Sequence, residues 1–114
     1  MTRAPETTAA FDDLLAALAA ARDEYVLDPA RGFSELEAVE GFRYVLHLVS
    51  EGAELFAEGD PDRPRFSPIV SPARKLLGDN PDAIYHQAVI RGDRSYRVTG
   101  KRDREVYILS LIHI

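Results

Sequence analysis

The chain has 114 residues, 46% of them apolar and 29% charged, with a formal net charge of −5 and no cysteine. That length makes one domain or part of one, and the balance is that of an ordinary soluble globular chain. The composition excludes disulfides and thiolate metal sites, and no apolar run approaches the ~18 residues of a membrane span.

The opening stretch, Met1 to Thr8, has one basic residue and no long apolar centre, unlike a signal peptide. With the lack of cysteine, this predicts a cytoplasmic location. Charge is divided unevenly. Residues 1–60 carry 4 basic and 13 acidic side chains, net −9, and residues 61–114 carry 10 and 6, net +4. So thin a positive balance, spread over the three expected strands, is a weak footprint for nucleic acid. The two halves are expected to pack on each other or on other parts of a longer chain.

Residues 1–8 read as a frayed lead-in. From Ala9 to about Val26 the pattern is helical, with Phe11, Leu14, Leu15, Leu18 and Tyr25 near one face. Thr7 or Thr8 can cap it, and Asp28-Pro29 stops it. Gly32 closes the connection. Ser34 and Glu37 then make a capping box for a second helix, expected to end near Glu58 with Gly59 as its stop. Leu36, Val39, Phe42, Leu46, Val49, Ala53 and Phe56 follow at steps of three or four. Gly41 and Gly52 inside that helix each cost roughly 1 kcal/mol against alanine, and close packing on another helix would explain them. Two helices on a short loop predict an antiparallel hairpin over residues 1–59.

Residues 60–83 form a connector that holds Pro61, Pro64, Pro68, Pro72 and Pro81, five of the seven prolines. Its apolar residues should make it pack, and Ser71 to Leu77 could form one helical turn capped by Ser71, with Pro72 at its first position. From Ile84 the period switches to two. Strands are expected from Ile84 to Ile90, over 95–99 and from Glu105 to Ile108, with turns at Arg91-Gly92-Asp93 and at Gly100 to Asp103. The fold class is therefore α+β: a helical hairpin, a proline-rich connector, and in residues 84–108 a short antiparallel meander that begins an incomplete β-sandwich. The last six residues, 109–114, read as the forward translation of a transposon mosaic-end adapter, CTG TCT CTT ATA CAC ATC. They are expected to be a non-native tail in which His113 carries no function, with the natural protein continuing beyond residue 108.

Chemistry-bearing residues concentrate at the end of the connector. Asp79, Asn80 and Asp82 are an oxygen-rich cluster before a strand, suited to a hard cation or a sugar-like ligand. Turn chemistry accounts for the same residues, since Asx side chains accept from backbone amides one or two residues on. Tyr85 and His86 point to opposite faces of a strand and cannot share one pocket. Arg74 and Lys75 could clamp an anion or pair with Asp79 and Asp82. His47 sits in the second helix without a partner histidine. The binding candidates are thus Arg74, Asp79, Asn80, Asp82 and Tyr85, with no metal and no cofactor expected. Neither a phosphate-binding glycine loop, a serine elbow nor a metalloprotease helix is present.

Several of these segments carry a resemblance. Glu54-Leu55-Phe56, Asp60-Pro61-Asp62-Arg63-Pro64-Arg65-Phe66, Ser71-Pro72-Ala73-Arg74-Lys75, Gly78 to Tyr85, Asp93 to Val98 and Val106-Tyr107 together resemble the bacterial family called domain of unknown function 1214 and its sister numbered 1254. Asn80-x-Asp82-x-x-Tyr85 ahead of a strand is the most diagnostic piece. Ala83 stands where the sister family has threonine. The resemblance implies a longer parent built of β-sandwich domains, of which this chain is the N-terminal portion, and no established reaction. Its partners would be the rest of its own parent chain and a small-molecule ligand, with no nucleic acid and no membrane span. Two functions follow: a binding or accessory structural module, or part of a hydrolase-like enzyme whose site lies mainly downstream. Convergence of Asp82, Tyr85 and Arg74 in one pocket would favour the enzyme.

Overall fold

A computed structural model describes residues 4–112, and His113 lies outside them. The architecture is α+β, with two helices followed by a small antiparallel sheet of two strands.

Helix α1 spans Pro5–Ala20 and begins earlier than Thr7 or Thr8 would allow, with Ala4 at its N-cap and no side-chain cap. Proline explains the start. Its ring pre-sets helical φ, and its missing N–H is one that a first turn leaves unpaired anyway. The helix then widens into a π-helical segment, Ala21–Val26, closed by Leu27 N–H donating to Arg22 O at 2.8 Å. The stop is the predicted one. Asp28 Oδ1 accepts from Ala30 N–H across Pro29 at 2.9 Å, and Gly32 adopts φ +68°, which favours glycine.

Helix α2 spans Glu35–Gly52 and has the full capping box. Ser34 Oγ accepts from Glu37 N–H at 3.2 Å, and Glu37 accepts in return from Ser34 N–H at 2.7 Å. The helix continues as a second π-helical segment, Ala53–Ala57, which Glu58 N–H closes by donating to Ala53 O. The two interior glycines differ. A Cβ on Gly41 would lie 2.9 Å from Val26 Cγ1, so glycine lets α2 approach the first π-helical segment. A Cβ on Gly52 would meet nothing within 4 Å, so the close packing expected there is absent among the described residues.

Strand β1 is Ser67–Pro68 and strand β2 is His86–Gln87, paired antiparallel with Ser67 opposite Gln87 and Pro68 opposite His86. The pairing differs from the expected meander. The strand after Ile84 takes its neighbour from the connector, and 95–99 and 105–108 lie in irregular structure. Two causes act together. Phe66 packs edge-on against His86, with ring centroids 6.5 Å apart, which fixes the connector as the neighbour. Strands with nothing covering either face are marginal, and Val98 and Val106 are exposed. The expected helical turn at Ser71 is instead a tight loop in which Ser71 and Arg74 exchange backbone hydrogen bonds. Ser71 Oγ still caps locally, accepting from Ala73 N–H.

Little of the apolar surface is covered. Among the described residues only Ala38 and Leu76 are buried apolar side chains, each 6% exposed. The radius of gyration is 18.1 Å, against about 13 Å for a compact domain of this length. No described helix is long and apolar enough to cross a membrane.

Candidate functional site

Arg74 is the centre of the connector and is buried, at 9% exposure. The tight loop at Ser71 aims it back at α2 and at the end of β1. Its guanidinium lies 2.6 Å from Glu54 and 2.8 Å from Glu51, and Nε donates to Ile69 O at 3.2 Å. It also donates to Pro68 O and reaches Ser50 Oγ. A planar fork of donors suits this better than an ammonium, because it meets carboxylates and carbonyls in several directions at once. Arg74 therefore pairs with two glutamates of α2 and its extension, and not with Asp79 or Asp82 as the sequence suggested.

The two glutamates are held unequally. The hydrogen bond from Arg74 holds the Glu54 carboxyl below its ordinary value. Glu51 is pushed up, because burial outweighs the attraction of Arg74. Both Glu51 oxygens are buried without a well-aligned donor, so its contact with Arg74 is charge proximity rather than a directed hydrogen bond. Desolvation without a donor disfavours the ionised form.

The remaining candidates sit apart from Arg74, in a turn. Asn80 Oδ1 accepts from Asp82 N–H at 2.9 Å across Pro81, and Asn80 O accepts from Ala83 N–H at 3.1 Å. Tyr85 OH accepts from Asn80 N–H at 3.1 Å and so ties the turn to the start of β2. Asp79 is half-buried and Asp82 is exposed. Asn80, Asp82 and Tyr85 are thus brought together through backbone amides.

This turn is one of three alike. Asp28-Pro29-Ala30, Asp60-Pro61-Asp62 and Asn80-Pro81-Asp82 each place the Asx oxygen 2.9 Å from the second following N–H. The tyrosine tie also recurs. Tyr96 OH accepts from Arg91 N–H at 2.9 Å and donates to Pro61 O at 3.0 Å, which joins the Arg91 turn to the connector. Arg91 pairs with Asp93 within that turn. Repetition at three places in the chain shows a general way of turning it.

His47 and Tyr44 on α2 hold the loop after Arg74. His47 Nδ1 lies 3.0 Å from both N and O of Lys75, and Tyr44 OH accepts from Leu77 N–H at 3.3 Å. Leu77 has φ +56°, a left-handed conformation unusual outside glycine, and this bond supports it.

An open groove of about 280 Å³ lies between the end of α2 and the sheet. Glu54, Glu58, Asp60, Arg63 and Arg65 line it together with Leu55 and Val89. A second, of about 200 Å³, runs past Tyr44, His47 and Leu77. Neither is lined by Arg74, Asp82 or Tyr85. No cluster of three or more metal-ligating side chains occurs among the described residues.

Glu51 and Glu54 are the residues the sequence reading missed. A partial signal was present: they lie three residues apart, Glu51 near the end of α2 and Glu54 in its π-helical extension, close enough for one cation from the connector to meet both. Comparison with protein-family models, curated proteins and solved structures finds no match to this chain.

Proposed function

We propose that the chain is a binding or accessory structural module of a larger protein. Its helices act as an antiparallel hairpin, and residues 84–108 act as the first strands of a β-sandwich that the rest of the parent chain completes. The resemblance to the domains of unknown function 1214 and 1254 supports a sandwich parent.

One observation carries the reading. Three of the five residues that looked available for chemistry, Arg74, Asn80 and Tyr85, hold the chain's shape, while large apolar side chains stand uncovered. Arg74 joins α2 to β1, and Asn80 and Tyr85 close a turn. Phe56, Ile84, Val98 and Val106 are exposed. Such side chains are what completing strands would remove from water. The mixed-charge groove beside Glu54 is where the module would contribute to a small-molecule site.

Expressing the chain with and without the downstream polypeptide of its parent gene tests this. The downstream polypeptide should protect amides of residues 95–99 and 105–108 from hydrogen exchange. Equal exchange in both samples would refute the module reading.

A further inference from the structure

The two edges of the small sheet are not equivalent. Ile69 N–H donates to Tyr85 O at 3.1 Å, while Ser67 stands opposite Gln87 and Pro68 opposite His86. Hydrogen-bonded and non-hydrogen-bonded pairs alternate along an antiparallel ladder. The backbone groups of Ser67 and Ile69 therefore face β2, and those of Pro68 and His86 point outward, one to each edge. On the β1 edge both groups are closed to a further strand. Proline has no N–H to give, and the Pro68 carbonyl accepts from Arg74. On the β2 edge His86 presents both an N–H and a C=O.

We propose, resting on the module reading, that the sheet grows only from the outer edge of β2, and that residues 95–99 are the strand it takes. The register sets Ile90 opposite Ser95, Ala88 opposite Arg97 and His86 opposite Thr99.

Turn, parity and faces select that strand and that register. Residues 95–99 lie in irregular structure, as an uncovered strand does, but the turn that would join them to β2 is in place. Arg94 N–H donates to Arg91 O at 3.3 Å, and Arg94 pairs with Asp62 of the connector. Residues 91–94 then make a four-residue hairpin loop closed by Ile90 and Ser95. Parity requires that closure. Along β2 continued to Ile90, positions 86, 88 and 90 point away from β1, so the new rungs fall there. A two-residue loop closed by Arg91 and Arg94 would place them at 87 and 89, which face β1. The faces agree as well. Val89 and Tyr96 become opposite neighbours, and both already turn to residues 59–61. A Cβ on Gly59 would lie 2.6 Å from Val89 Cγ2, and Tyr96 OH donates to Pro61 O at 3.0 Å. The same register brings Val98, 75% exposed, beside half-buried Gln87 on that face and sends Arg97 to the other.

The chain's lack of cysteine allows the register to be read by disulfide trapping in the whole chain. Gln87 and Val98 would form a non-hydrogen-bonded pair with Cα atoms ~4.5 Å apart, within reach of a disulfide. Under mild oxidation, Gln87→Cys with Val98→Cys should close about 10-fold faster, or more, than His86→Cys with Val98→Cys, whose side chains point to opposite faces. The two loops differ by one residue, so chain proximity alone would close both alike. Ser67→Cys with Val98→Cys tests the other edge and should be as slow as the His86 pair. A His86 pair that closes as fast as the Gln87 pair overturns the register, and fastest closure of the Ser67 pair overturns the choice of edge. The module reading is decided separately, by exchange at residues 95–99 and 105–108. Protection there by the downstream polypeptide, with trapping that follows neither edge nor face, would leave the module reading standing and this strand addition overturned.

Discussion

At the scale of single residues, Arg74 holds together parts that are far apart in sequence. It satisfies two carbonyls of the connector and pairs with two carboxylates, one on α2 and one on its π-helical extension. Removing one partner of a buried ion pair costs about 3–5 kcal/mol, because the other charge stays behind. Arg74→Met should sit near the lower end, about 3 kcal/mol, since the Glu54 side chain is 34% exposed and solvent screens it in part. Chemical unfolding followed by circular dichroism measures the loss. Arg74→Lys should recover only a fraction of it, because an ammonium cannot span both glutamates and both carbonyls.

The two glutamates should act on stability in opposite directions with pH. Glu54 is depressed below its ordinary 4.5 by the hydrogen bond from Arg74. Its contribution is present above 4.5 and is lost as pH falls through the lower folded value. Glu51 is raised above 4.5 by burial. The folded state there favours the protonated form, so stability is greatest below 4.5 and declines as pH rises through the folded value. Glu51→Gln should therefore flatten the decline on the alkaline side of 4.5, and Glu54→Gln should flatten the acid limb. Unfolding free energies measured from pH 3 to pH 8 separate the two, and identical profiles for both variants would contradict this assignment.

At the scale of elements, the signals that could be read were those completed within a few residues. The capping box at Ser34 needs only Ser34 and Glu37, and the stop at Asp28-Pro29 needs only its own turn. The α+β order needs only the change of period. What escaped was what depends on distant partners. Nothing near Arg74 in sequence announces Glu51 and Glu54, and the local acids Asp79 and Asp82 were the better guess. The pairing of β2 with Ser67–Pro68 escaped for the same reason, since alternation marks a strand and not its neighbour. Gly41 and Gly52 show the limit plainly, because one argument covered both and the structure divides them. Gly41→Ala should destabilise, as its Cβ would lie 2.9 Å from Val26 on the first π-helical segment. Gly52→Ala should stabilise α2 by about 0.8–1 kcal/mol, as nothing opposes the helical preference of alanine. Thermal melts of the two variants would show the opposite signs.

At the scale of the whole molecule, the chain has local structure in excess of its core. Backbone bonds, Asx turns, tyrosine ties and the Arg74 clamp specify its course, but only Ala38 and Leu76 are buried apolar side chains among the described residues. Cooperativity and heat capacity come from apolar burial and not from turns. The isolated chain should therefore keep its helical circular dichroism while unfolding gradually in urea. Its slope should fall below the ~1 kcal/mol/M at the low end for small proteins. Small-angle scattering should give a radius near 18.1 Å for the monomer, and an environment-sensitive apolar dye should bind strongly. That dye signal should persist until strands cover Val98 and Val106. A sharp, dye-silent transition with a slope normal for this length would mean that the exposed side chains find a core within the chain, and would remove the ground for the module reading.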